Sequence, residues 1–148
     1  TYFTTEHGYQ GNIFEAHTLC QDNGLKCVYG VEAYYVDDVN DKSSRTMYHI
    51  MLIAMTENAR KEINKIMSVA NTDGYYYKPR IDLKMLLSLT PTETVITTAC
   101  IAGRMFKDGW EEKFLNPVKG HFKNNFFLEV QAHVDENQIE YNKKIIEA

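Results

Sequence analysis

Side chains that can bind a metal ion recur at the ends of predicted strands in this 148-residue sequence. They are two histidines, a glutamate and a cysteine: His7, Glu32, His49 and Cys100. In parallel α/β proteins the carboxyl ends of the strands lie at one edge of the sheet, so ligands from distant parts of a chain can meet there. Imidazole, carboxylate and thiolate donors together favour zinc, whereas the set without the thiolate would suit manganese or iron.

Each of these side chains also has a structural explanation. A single histidine in an apolar run, such as His49, is more often a hydrogen-bonded core residue, and Cys100 taken alone is better explained as a small buried residue. Glu32 is harder to explain in this way, because a buried carboxylate is costly unless it is paired or bound to a metal. A turn or an edge position could still expose Glu32 to water.

The strands that would position these residues are short β-prone runs separated by helix signals. They cover residues 1–5, 27–36, 47–54, 94–98 and 126–131. The run at 47–54 is almost continuously apolar, which is typical of a strand that is buried on both faces. The alternation of strands and helices predicts an α/β domain with a largely parallel sheet.

The helix signals differ in strength along the chain. Thr56 is a predicted N-cap for a helix with one apolar face, and Asp82 is a predicted N-cap for a short helix near residues 83–89. A last helix is predicted over residues 136–148. The pattern at 106–125 is poor, because glycine and proline residues interrupt its helical periodicity.

The composition excludes several classes of protein. The length and the 44% hydrophobic content suit one globular domain, and the formal net charge of −4 gives no global basic field, so any nucleic-acid contact must be local. The odd number of cysteines, three, favours a reducing compartment, and we expect a cytoplasmic protein. No apolar run approaches the roughly 18 residues of a membrane span, so no membrane partner is expected.

Six sequence blocks identify a family by their type and order. They are TEHG at 5–8, GVEAY at 30–34, YHIMLIA at 48–54, GYYYKPRID at 74–82, TACIAG at 98–103 and FFLEVQ at 126–131. Together they resemble successive blocks of the PHP domain of bacterial DNA polymerase III alpha subunits. The tyrosine-lysine-proline-arginine block points to the polymerase branch rather than to other PHP proteins such as histidinol phosphatases.

The resemblance implies a distorted (β/α) barrel whose strand ends hold divalent metal ions and hydrolyse phosphoesters, as a 3′–5′ exonuclease in the active members. By match to the family's blocks, the four candidate ligands named above are the metal-binding positions, with zinc or manganese as the expected metal. Lys78 and Arg80 are candidates to bind phosphate, although solvated or carboxylate-paired bases are equally expected. The three adjacent tyrosines could stack on bases, although packing under a loop is the commoner role.

The family pattern also contains a His-any-His strand before the His-Gly block and an Asp-any-His pair at its end, and neither occurs in this chain. We therefore expect residues 1–148 to be a partial PHP domain whose first and last parts are missing. Such an incomplete, distorted (β/α) barrel would leave open sheet edges that must be covered or paired, so a homodimer is one expected assembly.

Two functional hypotheses follow from the resemblance. In the first, the chain is part of the N-terminal PHP domain of a replicative DNA polymerase alpha subunit, which contributes metal-dependent phosphoester hydrolysis or 3′–5′ exonuclease proofreading. In the second, the domain is a non-catalytic structural or partner-binding module with a vestigial metal site. The partners expected through the parent polymerase are DNA and a replisome or proofreading subunit. For the isolated chain the second hypothesis is favoured, because the missing segments would weaken metal binding.

Overall fold

One six-stranded sheet organises residues 1–148, all of which the computed structural model describes. The strands are β1 (Tyr2–Thr4), β2 (Cys27–Tyr35), β3 (Tyr48–Ala54), β4 (Arg80–Ile81), β5 (Thr94–Thr97) and β6 (Phe126–Phe127). The helices are α1 (Ile13–Asp22), α2 (Glu57–Asn71), α3 (Leu83–Leu86), α4 (Asn116–Phe122) and α5 (Glu136–Glu147). The predicted α/β class is confirmed, and none of these helices has the length and apolar character needed to cross a bilayer.

The sheet is open and mixed. Its strand order is β1-β2-β3-β5-β6, and β4 pairs with the end of β2. β1 and β4 run parallel to β2, and β6 runs parallel to β5, whereas β3 is antiparallel to both of its neighbours. The prediction of a largely parallel sheet is therefore wrong. The barrel is not confirmed, because the outer strands β1 and β6 do not pair with each other.

The direction of β3 follows from the connection that precedes it. Residues 36–47 join β2 to β3 without a helix, and strands connected in this way lie antiparallel, since a parallel pair needs a longer crossover. α1 provides such a crossover between β1 and β2, and α4 provides one between β5 and β6. The sequence pattern predicts the loop at 37–45, and the antiparallel direction is its consequence.

The edges of the sheet are short. β1 has three residues and β6 has two. Short edge strands present few unpaired backbone groups to a second chain, which limits edge-to-edge pairing. The homodimer stays a prediction, and the sheet edges supply little surface for it.

β3 buries only one of its two faces. Ile50 and Leu52 are fully buried in the core, whereas the alternate residues His49 and Met51 are half-buried on the opposite face. The prediction of a strand buried on both faces is therefore wrong. The apolar run suggested burial on both faces, but the second face of β3 carries large side chains that are only partly covered.

Two predicted helix caps are confirmed. The side chain of Thr56 accepts a hydrogen bond from the Ala59 amide at 3.1 Å, and Asp82 accepts one from the Met85 amide at 3.0 Å. α2 then packs its apolar stripe on the core face of the sheet. The buried residues of this stripe are Ala59, Ile63, Ile66, Met67 and Ala70.

A helical segment forms where the pattern at 106–125 predicts little regular structure. A π-helical turn at Glu111–Leu115 leads directly into α4. Phe114, Val118 and Phe122 recur every four residues, and all three are buried in the core. Pro117 is the second residue of α4, directly after the π-helical turn, and the helix continues through it.

Arg80 joins two loops from inside the protein. Its side chain is almost fully buried, and its guanidinium donates to the carbonyl oxygens of Gly74 at 3.1 Å, Asp41 at 2.8 Å and Val39 at 2.5 Å. Two of these carbonyls belong to the loop between β2 and β3, and the third belongs to the turn before β4. Arg80 therefore fixes the start of the β2–β3 loop.

We expect Arg80→Met to lower the free energy of unfolding by about 3 kcal/mol or more, because it removes charged hydrogen bonds and leaves buried carbonyls unpaired. Chemical denaturation followed by circular dichroism measures this loss. Lys144→Met is the control, since Lys144 is exposed and its contact with Glu140 is 3.8 Å long, so its effect should stay within about 0.5 kcal/mol. Equal losses in the two variants would contradict a structural role for Arg80.

Candidate metal centre

Three strands bring His7, Glu32 and His49 to one edge of the sheet. His7 follows β1, Glu32 lies in the second half of β2, and His49 is the second residue of β3. The parallel strands β1 and β2 both run toward this edge, whereas the antiparallel β3 begins there. One potential ligand atom from each of the three side chains lies within 4.8 Å of the others.

The register of the strands puts these side chains on the same face. His7 forms a bridge with Glu32, and His49 pairs with Tyr34, two residues beyond Glu32. Alternate residues of a strand share a face, so Glu32, Tyr34 and His49 all project from the face opposite the core. The site thus occupies the less covered face of the sheet.

Glu32 lies at the centre of the cluster. Only 9% of the residue is exposed, and each carboxylate oxygen contacts one imidazole: Oε2 is 2.7 Å from His7 Nε2, and Oε1 is 2.9 Å from His49 Nδ1. Both imidazoles are thereby oriented by one carboxylate. The burial that makes a carboxylate at this position costly is compensated by these two contacts.

Cys100 supplies a fourth donor from the loop after β5. Its Sγ lies 3.4 Å from His49 Nδ1 and 3.9 Å from Glu32 Oε1. The His49 amide donates to the Ala102 carbonyl at 3.0 Å, which holds this loop against the start of β3. Burial raises the pKa of the Cys100 thiol, and the Glu32 carboxylate raises it further, while the Ala102 amide opposes them. The metal-free thiol therefore stays protonated at neutral pH.

Gly8 sets the approach of His7 to Glu32. Its φ of +75° is in the left-handed region, and its amide donates to the Glu32 carbonyl at 2.8 Å. A Cβ on Gly8 would lie 2.8 Å from Cε2 of the Tyr34 ring. Both the backbone conformation and the packing against Tyr34 therefore require glycine at this position.

The donor set fits a divalent metal ion. Two imidazole nitrogens, a carboxylate and a thiol are the ligands that zinc takes in proteins, and the nitrogen and oxygen donors also suit manganese. These groups converge from four separate segments of the chain onto one small volume. The cluster is thus a possible His/Glu metal site with a neighbouring thiol.

Comparison with known proteins identifies the family of this chain. Residues 1–133 match the family model described as the PHP domain. The chain belongs to the PHP domain family. The family resemblance carried by the sequence blocks is thereby confirmed.

Relatives of this PHP domain include proteins named DNA polymerase III subunit alpha. The one from Chlamydia trachomatis is 31% identical over 139 residues, which cover 87% of this chain and 11% of that protein. The one from Borreliella burgdorferi is 29% identical, with 96% of this chain and 13% of that protein covered. The one from Aquifex aeolicus is 26% identical, with 97% and 14% covered. The PHP domain described here thus spans only 11% to 14% of the length of these relatives.

The two predicted phosphate-binding residues lie in different environments of the PHP domain. Lys78 is exposed, and its Nζ lies 5.5 Å from the centroid of the Tyr34 ring, which is itself 5.5 Å from the His49 ring. Arg80 is buried, and backbone carbonyls occupy its guanidinium. Lys78 thus lies beside Tyr34, and the guanidinium of Arg80 is neither solvated nor paired with a carboxylate but bound to backbone carbonyls.

Glu129 is a carboxylate beside the cluster that the sequence interpretation did not single out. Its oxygens accept hydrogen bonds from the Thr97 hydroxyl at 2.5 Å and from the Gln131 amide at 2.8 Å. Its charge helps to raise the pKa of the Cys100 thiol. The signal that could have identified Glu129 was its position just after a strand. β6 is parallel to β5, so both strands end at the edge of the sheet where the cluster lies.

We expect Gly8→Ala to lower the free energy of unfolding by about 2–4 kcal/mol, because it adds left-handed strain and a collision with Tyr34. Gly24→Ala is a matched control: Gly24 also has a positive φ, +62°, but a Cβ there would meet nothing within 4 Å. It should therefore cost only the strain, about 1–2 kcal/mol. Thermal or urea unfolding of both variants measures the difference, and equal losses would show that the Tyr34 contact does not constrain Gly8.

Proposed function

We propose that this PHP domain is part of the alpha subunit of a replicative DNA polymerase and that it binds a divalent metal ion. The proposed ligands are His7, Glu32, His49 and Cys100. The observation that carries the proposal is the convergence of the first three within 4.8 Å, with the Cys100 sulphur 3.4 Å from His49. The name shared by the relatives supports the assignment to a polymerase subunit.

The proposed reaction is hydrolysis of a phosphoester at the 3′ end of DNA. A divalent metal ion in such a site supplies a Lewis acid that stabilises the charge developing on phosphate oxygens. The residues of this chain would hold the metal ion in position and leave the site accessible to a substrate. Glu32 orients the two imidazoles, and His7 is 57% exposed, so the cluster is open to a substrate from that side. Lys78 adds a positive charge near this opening, where a phosphate would approach.

A second candidate is a partner-binding module whose metal site does not catalyse. Large apolar side chains are exposed around one groove between β1, α1 and the turn after α1, and apolar surface of this kind marks interaction sites. They are Tyr2, Leu19 and Leu25. A replisome or proofreading subunit is the corresponding partner. The two candidates share the metal site and differ in whether it turns over substrate.

We expect the chain to bind zinc or manganese with an affinity that depends on the cluster. His49→Ala should weaken binding by at least the roughly 10–100-fold that loss of a supporting residue costs at metal sites. His17→Ala is the matched control, since His17 is exposed on α1 and contacts Tyr29 instead of the cluster. Titration calorimetry against a competing chelator measures these affinities, and equal affinity of the parent chain and His49→Ala would contradict the proposed site.

The catalytic candidate predicts release of single nucleotides from the 3′ end of a labelled primer in the presence of manganese or zinc, whereas the non-catalytic candidate, which is favoured for the isolated chain, predicts none. Removal of the metal with EDTA should stop the reaction, because the charge on the phosphate would no longer be stabilised. The same substitution, His49→Ala, should also stop it, whereas His17→Ala should leave the rate unchanged. Metal binding without any release of nucleotides would reject catalysis and support the second candidate.

A further inference from the structure

A tight turn before β4 presents Tyr77 at its tip. The Tyr76 amide donates to the Lys78 carbonyl at 3.1 Å, and the same two residues form an isolated bridge. Tyr77 between them has a φ of +62°. This left-handed conformation is uncommon for a bulky residue, and strained positions of this kind cluster at functional sites. The turn thus holds an aromatic ring outward at a cost in backbone strain.

The ring of Tyr77 is stacked against an arginine from another loop. The guanidinium carbon of Arg45 lies 3.7 Å from the centroid of the Tyr77 ring, and its Nη2 contacts the Tyr77 hydroxyl. Both residues are exposed to solvent. Burial of an apolar ring, the ordinary reason for such packing, therefore does not explain the contact. One face of the Tyr77 ring thus lies against a cationic guanidinium group, while 49% of the residue stays exposed to solvent. Aromatic rings and guanidinium planes of this kind are what unpaired nucleobases stack on.

This surface continues toward the metal centre. Lys78 follows Tyr77, and its ammonium group lies 5.5 Å from the Tyr34 ring, whose neighbours are His49 at 5.5 Å and His7 at 6.5 Å. The turn also packs close to the cluster through Pro79, because a Cβ on Gly8 would come within 3.1 Å of its ring. A strand lying on the Arg45–Tyr77 pair would thus meet Lys78 before it reaches the cluster.

The three acidic residues that precede Arg45 in the β2–β3 loop make contacts of their own. The Asp37 carboxylate pairs with Arg104 at 2.8 Å and 2.9 Å. The side chains of Asp38 and Asp41 accept hydrogen bonds from amides of their own loop, each at 2.8 Å. Arg45 is paired with no carboxylate within 4.0 Å, so its charge is available to a phosphate although the chain as a whole is acidic.

We propose that Arg45, Tyr77 and Lys78 form a binding surface for an unpaired nucleic-acid strand. One base stacks on the Arg45–Tyr77 pair, and the Lys78 ammonium group contacts a phosphate of the same strand. We further propose that this surface delivers the end of the strand to the metal centre, and this step rests on the proposed function. The stacking does not rest on the proposed function, because none of the three residues is a proposed metal ligand.

Fluorescence anisotropy of a short 5′-labelled oligothymidylate tests the proposal with the full 148-residue chain. The measurement is made at low salt in EDTA, so that binding is separated from metal binding and hydrolysis. Tyr77→Asn removes the ring while asparagine tolerates the left-handed backbone, and it should weaken binding about tenfold. Arg45→Gln should weaken it by a similar factor, and it changes an exposed side chain that the fold does not need. Phe14→Asn is the control, because Phe14 is 83% exposed on α1 and should change affinity less than about twofold.

Four further ligands define the chemistry that is recognised. An oligomer of the same length and charge that lacks bases should bind about tenfold more weakly than oligothymidylate, and duplex DNA should also bind more weakly, because stacking needs an unpaired base. Oligouridylate distinguishes RNA from DNA, and binding of either strand that depends on Tyr77 supports the proposal. An acidic peptide of equal charge tests a protein partner. Equal binding of the base-free oligomer or of the peptide would overturn the proposal.

The metal-site proposal and the nucleic-acid proposal can be rejected independently of each other. Tyr77→Asn should leave zinc affinity unchanged, and His49→Ala should leave binding of oligothymidylate in EDTA unchanged. If oligothymidylate binds the parent chain and Tyr77→Asn equally well, the nucleic-acid surface is wrong whatever the zinc titration gives. If zinc does not bind but oligothymidylate binding depends on Tyr77, the metal centre is wrong and the surface stands.

Discussion

The contact of the Glu32 carboxylate with two imidazoles is the interaction on which the site depends. A buried carboxylate must be paired, and here each of its oxygens has one histidine partner from a different strand. His7 arrives at the end of β1 and His49 arrives at the start of β3, so the contact requires β1 to be parallel and β3 to be antiparallel to β2. The contact of Glu32 with both histidines therefore constrains the directions of β1 and β3 in the sheet.

This constraint divides the two faces of the sheet. The face with Val31, Ala33, Ile50 and Leu52 is fully buried under the helices and supplies the hydrophobic stabilisation. The opposite face carries Glu32 and the aromatic and imidazole rings around it, and these residues are only partly covered. Because successive side chains of a strand point to opposite faces, the same strand contributes to the hydrophobic core on one face and to the cluster on the other. Side chains can change on one face with little effect on packing at the other.

The sequence was informative for two helix starts, where the signal is local. The capping side chains of Thr56 and Asp82 act within three residues, and both predictions are confirmed. The grouping of His7, Glu32 and Cys100 near one edge was expected from the convergence of parallel strand ends. His49 reaches the same edge for a different reason, because its strand starts there. A pattern of apolar residues predicts that a strand exists, but it does not give the direction of that strand.

Other features of the structure depend on contacts between distant segments. Arg80 has the same sequence signal as a phosphate-binding arginine, and only its carbonyl partners in the β2–β3 loop distinguish the two roles. Pro117 suggested a break, yet the π-helical turn before it leads directly into α4, and the buried residues after it continue the helix. The role of Glu129 beside Cys100 depends on strand pairing between β5 and β6. None of these relations can be read from spacing along the chain.

The helix-free connection between β2 and β3 has a consequence for how this domain can diversify. Its beginning is tied down by Arg80 at Val39 and Asp41, whereas the stretch from Lys42 to Thr46 is exposed and makes no contact with the core. Insertions in such a segment cost little conformational free energy, since loop closure depends only weakly on length. The tip can therefore be lengthened, shortened or changed in charge while the two strands beneath it keep their register. An anchored segment and an exposed one thus lie within the ten residues from Asp37 to Thr46.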